Sequence, residues 1–302
     1  MADSDKQARA VLVNWGIEAE LRRELSGLNK DTWQVGEDAW LAADVDSIQP
    51  AWETVEAVLR RPELSSFDVP RIVPTRCGER WIRYEGRLWR LTESVHGRAP
   101  SPESHEDLAS VAVALARLHR AMAPLPERFG SHTISTAEYA QQARALLRRE
   151  VLPYTEEESA QIISGLDLWG AATLRREPRQ LIHGDPSYPN LRLDREGCLT
   201  GLIDWESVRW DSVLHDLAVV GQTILYRSGW TDTCAGLAAL LELYAEAGGQ
   251  VFSLDDLLLS ILGIKFESVV HHGQKLLTGT GNTDLVRSQA SKIHIVCELL
   301  KH

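Results

Sequence analysis

Apolar residues recur at two spacings along this chain, and the change from one to the other divides it. Within Pro50–Arg61 (PAWETVEAVLRR), Trp52, Val55, Val58 and Leu59 fall three and four apart. That spacing predicts an amphipathic helix, with proline suited to its first turn. A further helix is expected over about Lys6–Glu20, and strand-like pieces over Leu21–Leu25, Thr32–Val35 and Ala39–Val45. Arg80–Tyr84 and Arg87–Thr92 read as two strands joined by Glu85-Gly86, a dipeptide suited to a hairpin. After Gly97 the character changes. The run GRAPSPES is a proline- and serine-rich connector, and the helix expected next, Glu103–Met122, places Leu108, Val111, Leu115 and Leu118 on one stripe. Helical spacing then prevails, apart from short strands around two polar motifs. The pattern predicts an α+β chain with a strand-rich N-lobe over residues 1–95 and a larger, mainly helical C-lobe over residues 96–302.

Composition narrows the function classes. With 302 residues, 44% hydrophobic and 25% charged, the chain can bury a large core and is neither disordered nor fibrous. Its formal charge of −11 argues against a nucleic-acid surface, which needs a basic face. No apolar run approaches the ~20 residues of a membrane helix. The start, MADSDKQARA, has no apolar targeting core, so a cytoplasmic location is expected. Cys77, Cys198, Cys234 and Cys297 lie far apart, which predicts free, partly buried thiols rather than a zinc site.

Two stretches carry candidate chemistry. In LIHGDPSYPNLRLD (Leu181–Asp194), Asp185 sits in a loop stiffened by Pro186 and Pro189, with the carboxamide of Asn190 five residues on. In LIDWE, Asp204 interrupts the apolar run Leu199, Leu202, Ile203, Trp205. A lone carboxylate in a half-buried run is costly. A metal ion would remove that cost. Asn190 and Asp204 are hard oxygen donors, few enough for phosphate and water to complete a Mg²⁺ octahedron. Asp185 is then left to orient a substrate hydroxyl and take its proton, a division of labour that phosphoryl transfer requires.

The set His183-Gly184-Asp185, Asn190, Asp204, Glu206 and Asp216-Leu217-Ala218, with a helix expected after IDWE and ending in WDSVLHDLA, resembles the aminoglycoside phosphotransferase and choline kinase superfamily, relatives of protein kinases. The resemblance implies a two-lobed kinase-like fold and a small-molecule kinase using ATP or GTP with Mg²⁺. It implies Asp185 as base, Asn190 and Asp204 as metal ligands, and His183 and Asp216 as braces of the catalytic loop. Leu25–Val35 (LSGLNKDTWQV) resembles the nucleotide loop, with Ser26, Gly27, Asn29 and Lys30 near phosphates; Glu93 and Val95 resemble the hinge that meets the nucleotide base. Glu56 resembles the helix glutamate that pairs with a phosphate-binding lysine. That lysine is missing: AWLAADVD (Ala39–Asp46) has no basic residue, nor is there one from Gly36 until Arg60. Lys30 could reach over the phosphates, an arginine such as Arg83 or Arg90 could substitute, or activity could be reduced. Because Asp185, Asn190 and Asp204 all remain, an active enzyme is expected.

Tyr188, Trp205, Glu206, Trp210, Glu267 and His271-His272 are candidate substrate lining, suited to an amine-bearing acceptor, with Glu206 equally able to support the metal site from behind its ligands. An antibiotic acceptor is the first expectation. A metabolic kinase of an amino alcohol, sugar or nucleoside is the alternative, as is a non-catalytic nucleotide-binding protein on the same fold.

Overall fold

The computed structural model describes residues 2–24, 31–44, 49–65, 67–127, 136–149, 152–172, 178–227 and 232–301. Helix α1 (Ala2–Leu12) begins and ends earlier than the expected Lys6–Glu20. It gives way to a single 3₁₀ turn, Val13–Trp15, which Gly16 closes at φ 67°. Glycine takes that left-handed conformation without a Cβ clash, and the helix stops there.

Six antiparallel strands follow: β1 (Leu21–Glu24), β2 (Asp31–Val35), β3 (Ala39–Asp44), β4 (Ile72–Val73), β5 (Ile82–Tyr84) and β6 (Arg87–Glu93). Their order is β1-β2-β3-β6-β4, with β5 also paired to β6. At two residues, β4 is too short to leave a pattern in the sequence, and β5 starts two residues later than expected. Successive strand side chains point to opposite faces. Trp33, Val35, Leu41, Ala43, Trp89 and Leu91 therefore share a face and pack with Ala8, Val11, Leu12 and Trp15. Trp33 and Trp89 stack there with ring centroids 5.5 Å apart. Alternation sends Ala42 and Arg90 to the other face, where α2 (Gln49–Leu59) brings Trp52 against Arg90.

The rest is mainly helical: α3 (His105–Met122), α4 (Thr136–Leu147), α5 (Glu156–Ala172), α6 (Val213–Arg227), α7 (Thr233–Glu246), α8 (Leu254–Leu277) and α9 (Thr283–Leu299). The expected stripe on α3 is buried, and it joins Leu257, Ile261, Leu262 and Phe266 of α8 in one core. Two short ribbons cross this helical layer. β7 (Gln180–Ile182) pairs with β10 (Arg209–Asp211), and β8 (Leu191–Leu193) with β9 (Leu199–Leu202). The helix expected to end in WDSVLHDLA instead begins within that stretch, at Val213, and runs on to Arg227, because Arg209–Asp211 is drawn into the ladder with β7. The four cysteines are unbonded, but Cys77 and Cys198 are exposed rather than partly buried.

The connector between sheet and helices is pinned to the β8–β9 ribbon. Arg98 and Leu193 exchange backbone hydrogen bonds of 3.0 and 2.7 Å. Gly97 lies at φ 131°, where a Cβ would stand 2.6 Å from the Leu193 carbonyl oxygen. The Arg98 guanidinium grips Asp107 through both nitrogens, at 2.6 and 2.8 Å, and the Ser101 N–H adds a third bond at 2.7 Å. Arg98 above all, with Ser101 and Ser104, holds the Asp107 carboxyl below its ordinary range.

A group with a depressed folded pKa stabilises above its unfolded value and loses that contribution as pH falls through the folded one. Asp107→Asn should therefore cost about 1–2 kcal/mol in urea unfolding at pH 7, tempered by the solvent exposure of Arg98. The gap to the parent protein should close below about pH 4. A gap that stayed constant down to pH 2 would contradict the clamp.

Candidate active site

The two polar motifs occupy neighbouring turns. Residues 183–190 link β7 to β8, residues 203–208 link β9 to β10, and the two ribbons set these turns side by side. Ile203 N–H donates to the Asn190 carbonyl at 2.9 Å, and His183 Nε2–H donates to the Ile203 carbonyl at 3.1 Å. Gly184 has φ 86°, and a Cβ there would lie 2.0 Å from the Ser207 carbonyl oxygen. Only glycine allows the turns to approach this closely.

A buried carboxylate anchors the first turn. Asp216, in the first turn of α6, is fully buried and accepts from the backbone N–H groups of His183 (3.0 Å) and Gly184 (2.8 Å). His119 Nε2–H donates to the same carboxylate at 3.0 Å, and His119 Nδ1 meets the Tyr244 hydroxyl at 2.8 Å. Burial alone would raise the Asp216 pKa. The His119 hydrogen bond leads the groups that reverse this and lower it, so the carboxylate stays charged. His183 is neutral: burial lowers its pKa, and its Nδ1 accepts from the Asp185 N–H at 3.3 Å. His183 and Asp216 thus both lie within the hydrogen-bond network of this turn.

Asp185 lies within this frame. Burial is the main cause that pushes its pKa up to about 6, the Ser187 hydroxyl opposes it, and Asp204 and Asp216 add to it. A carboxylate tuned towards neutrality suits proton acceptance near pH 7. Asn190 Nδ2 donates to the Asp185 carbonyl (3.0 Å), to Asp185 Oδ2 (3.1 Å) and to Ser187 Oγ (3.1 Å). With its amide nitrogen used within the loop, Oδ1 is the end of Asn190 that can ligate a cation.

Asp204 is not a strand residue. The strand ends at Leu202, and Asp204 adopts φ 62°, ψ 59° ahead of the 3₁₀ turn Trp205–Ser207. A left-handed non-glycine residue costs of order 1–3 kcal/mol, and such strain gathers at functional sites. Trp205 fixes the turn, being buried edge-on to His183 with centroids 4.7 Å apart. Asp204 and Asn190 Oδ1 together form a pair of hard oxygen donors. That set fits a Mg²⁺ ion that needs phosphate and water oxygens to complete its shell.

The remaining expected residues fall in several places. Ser26, Gly27, Asn29 and Lys30 lie outside the described residues. Glu93 ends β6, where its N–H donates to the Arg71 carbonyl at 2.9 Å. Val95 packs against Gly201 of β9, where any Cβ would come within 2.5 Å of its methyl. Glu56 forms ion pairs with Arg80 and, at 4.0 Å, Arg60. Glu206 pairs instead with Arg90 of β6 at 2.7 Å. Burial lowers the Arg90 pKa to about 10 while Glu206 and Asp204 oppose that, so it stays charged at neutral pH. Tyr188 is buried in the C-lobe core, Trp210 packs against that core, and Glu267 receives two bonds from Arg209 at 3.3 Å. His271 and His272 lie side by side on α8, with centroids 5.1 Å apart.

Three contributors had no assigned role in the sequence. Arg209 Nη2 donates to His215 Nδ1 at 2.7 Å, and His215 Nε2–H donates to the Gly184 carbonyl at 3.2 Å. Glu267 is thereby linked to the catalytic loop. Tyr244 acts through His119. The position of His215 beside Asp216 was a usable signal; the 58-residue separation of Arg209 and Glu267 left none.

The profile of the phosphotransferase enzyme family matches residues 26–253, which includes both turns. An uncharacterized protein, YcbJ of Bacillus subtilis (strain 168), is 38% identical over 73 residues, and the match spans 24% of this chain and 21% of that protein's length. Among solved structures, a microcompartment-associated aminopropanol kinase superposes with TM-score 0.78 at 17% identity, over 98% of this chain and 96% of that one. The GDP and kanamycin complex of an APH(2") enzyme gives 0.72 at 12% identity, over 99% of each chain. An amicoumacin kinase gives 0.71 at 11%, over 97% and 93%. These likenesses show the two-lobed, protein-kinase-like fold. The profile match, which covers well over half of the chain, shows that it belongs to the phosphotransferase enzyme family and is an enzyme of phosphoryl transfer.

Proposed function

We propose that this enzyme moves the γ-phosphate of ATP or GTP to a hydroxyl of a small molecule. Residues 1–95 form the nucleotide-binding lobe and residues 96–302 the catalytic lobe. The observation that carries the reading is Asp185: a half-buried carboxylate with its pKa pushed up to about 6, on a loop locked by Asp216 and joined by hydrogen bonds to Asn190. Asp185 holds the acceptor hydroxyl and takes its proton as the new oxygen–phosphorus bond forms and the bond from the γ-phosphorus to the bridging oxygen breaks, releasing ADP or GDP. Asn190 and Asp204 hold Mg²⁺, which when bound neutralises charge on the transferred phosphate. His183, His215 and Asp216 keep the loop in place while the proton moves.

The acceptor is a small alcohol; the enzymes of similar fold are described with kanamycin, amicoumacin and aminopropanol, at 12%, 11% and 17% identity to this chain. Glu206 and Glu267 are held by Arg90 and Arg209, so neither acid alone is the recognition site for a cationic acceptor. An antibiotic acceptor and a metabolic amino alcohol both suit the site. A cytoplasmic setting goes with either, and no helix among the described residues is long and apolar enough to cross a membrane.

Transfer of radiolabelled phosphate from ATP and GTP to a panel of aminoglycosides, macrolides, amino alcohols, sugars and nucleosides tests the reading. Asp185→Asn should lower the turnover of any accepted substrate by about 10²–10⁴-fold with an unchanged thermal unfolding curve. Equal turnover in the variant would remove Asp185 as the base. Asp204→Asn should shift the Mg²⁺ concentration for half-maximal rate upward by at least ~10-fold. An unaltered metal dependence would show that Asp204 does not hold the ion.

A further inference from the structure

The strand that should carry a phosphate-binding cation has Ala42 at its centre, and the position directly across from it is filled by Arg90. The pairing of β3 with β6 sets Ala42 opposite Arg90 in register. Directly opposed residues of an antiparallel pair project from the same face, with Cβ atoms ~5 Å apart. Leu41, Ala43, Trp89 and Leu91 occupy the α1 face, so Ala42 and Arg90 share the face turned to α2 and the catalytic turns. The alanine methyl leaves room there for a long side chain, and the arginine enters it from the neighbouring strand.

The Arg90 side chain is only 6% exposed. A buried cation is tolerated where anions hold it, and here they belong to the turn that carries the metal-binding aspartate. Nη2 donates to Glu206 Oε1 at 2.7 Å, and Asp204 acts on the same guanidinium through space. On its other side the guanidinium carbon lies 4.2 Å from the Trp52 ring centroid, which fixes its plane. Arg83, by contrast, is exposed on β5.

Resting on the kinase reading above, we propose that Arg90 is the cation that grips the α- and β-phosphates of the donor nucleotide, with Glu206 as the carboxylate that positions it. The pair stands in for the lysine on β3 and the glutamate on α2. Glu56 is engaged with Arg80 and Arg60, so it does not perform that positioning. A guanidinium offers five N–H donors in a planar fork and serves a carboxylate at one edge and phosphate oxygens at another, which an ammonium does less well. The phosphate grip is thereby rooted in the hinge strand and the Asp204 turn rather than in α2.

Calorimetric binding of Mg·ATP, Mg·GTP and the matching nucleosides to the full chain tests this, with thermal unfolding measured on every variant. Arg90→Gln should weaken the preferred triphosphate by at least ~10-fold and leave its nucleoside within about twofold. Arg90→Gln with Glu206→Gln removes both charges, leaves no buried ion unpaired, and should show the same selective loss even if the single variant folds poorly. Adding Ala42→Lys to Arg90→Gln should restore most of the triphosphate affinity, which a purely structural arginine would not allow. Unchanged triphosphate affinity in a folded double variant, or an equal loss for the nucleoside, would overturn the assignment of Arg90 alone. If the parent protein bound neither triphosphate, the kinase reading would fall and this inference with it.

Discussion

The hold of Asp216 on the His183–Gly184 backbone is the constraint on which the site depends. Two main-chain N–H groups that would otherwise be orphaned in the core end on one carboxylate, and the His119–Tyr244 chain keeps that carboxylate charged. From α6 it fixes the loop from within, while Gly184 lets the Asp204 turn close on it from the other side. Removing one partner from such a buried network leaves the others with desolvation costs and no compensation. The chemistry sits on the surface of this lock, and Asp185 inherits its geometry from it.

The same packing explains why the acidic residues near the site behave differently. Asp216 accepts strong hydrogen bonds and its pKa is lowered; Asp185 has fewer and is pushed up by burial and by the charges of Asp204 and Asp216. One environment makes a fixed anion, the other a carboxylate that can take a proton. Asp204 is set apart again by its left-handed backbone, held in place by the buried Trp205 beside it. The N-terminal sheet joins this arrangement through Arg90 and Glu206, so the two halves meet in a charged contact beside the Asp204 turn.

The catalytic turns were legible because their residues are close in sequence and chemically unusual: a glycine between histidine and aspartate, two prolines, an asparagine, then an aspartate after an apolar run. The bracing roles of His183 and Asp216 followed from the family resemblance. What escaped was set by distant partners. Arg209–Asp211 is a strand only because β7 lies beside it, and α1 ends early because Gly16 takes a left-handed turn. The partner of Glu206, which the sequence left between the metal and the substrate, is Arg90, delivered to it by the β3–β6 register. The sequence revealed that a lysine was absent, and named Arg90 among its possible replacements. Choosing among them required knowing which side chains share a sheet face.

The central claim is a division of labour: Asp185 handles the proton while Asn190 and Asp204 hold the metal. A crystal structure of the protein with Mg²⁺ and a non-hydrolysable ATP or GTP analogue tests it most directly. The account predicts a cation at about 2.0–2.1 Å from Asn190 Oδ1 and from an Asp204 carboxylate oxygen, with the phosphates completing its shell and Asp185 outside it. A cation ligated by Asp185, or a nucleotide seated away from the Asp204 turn, would contradict it.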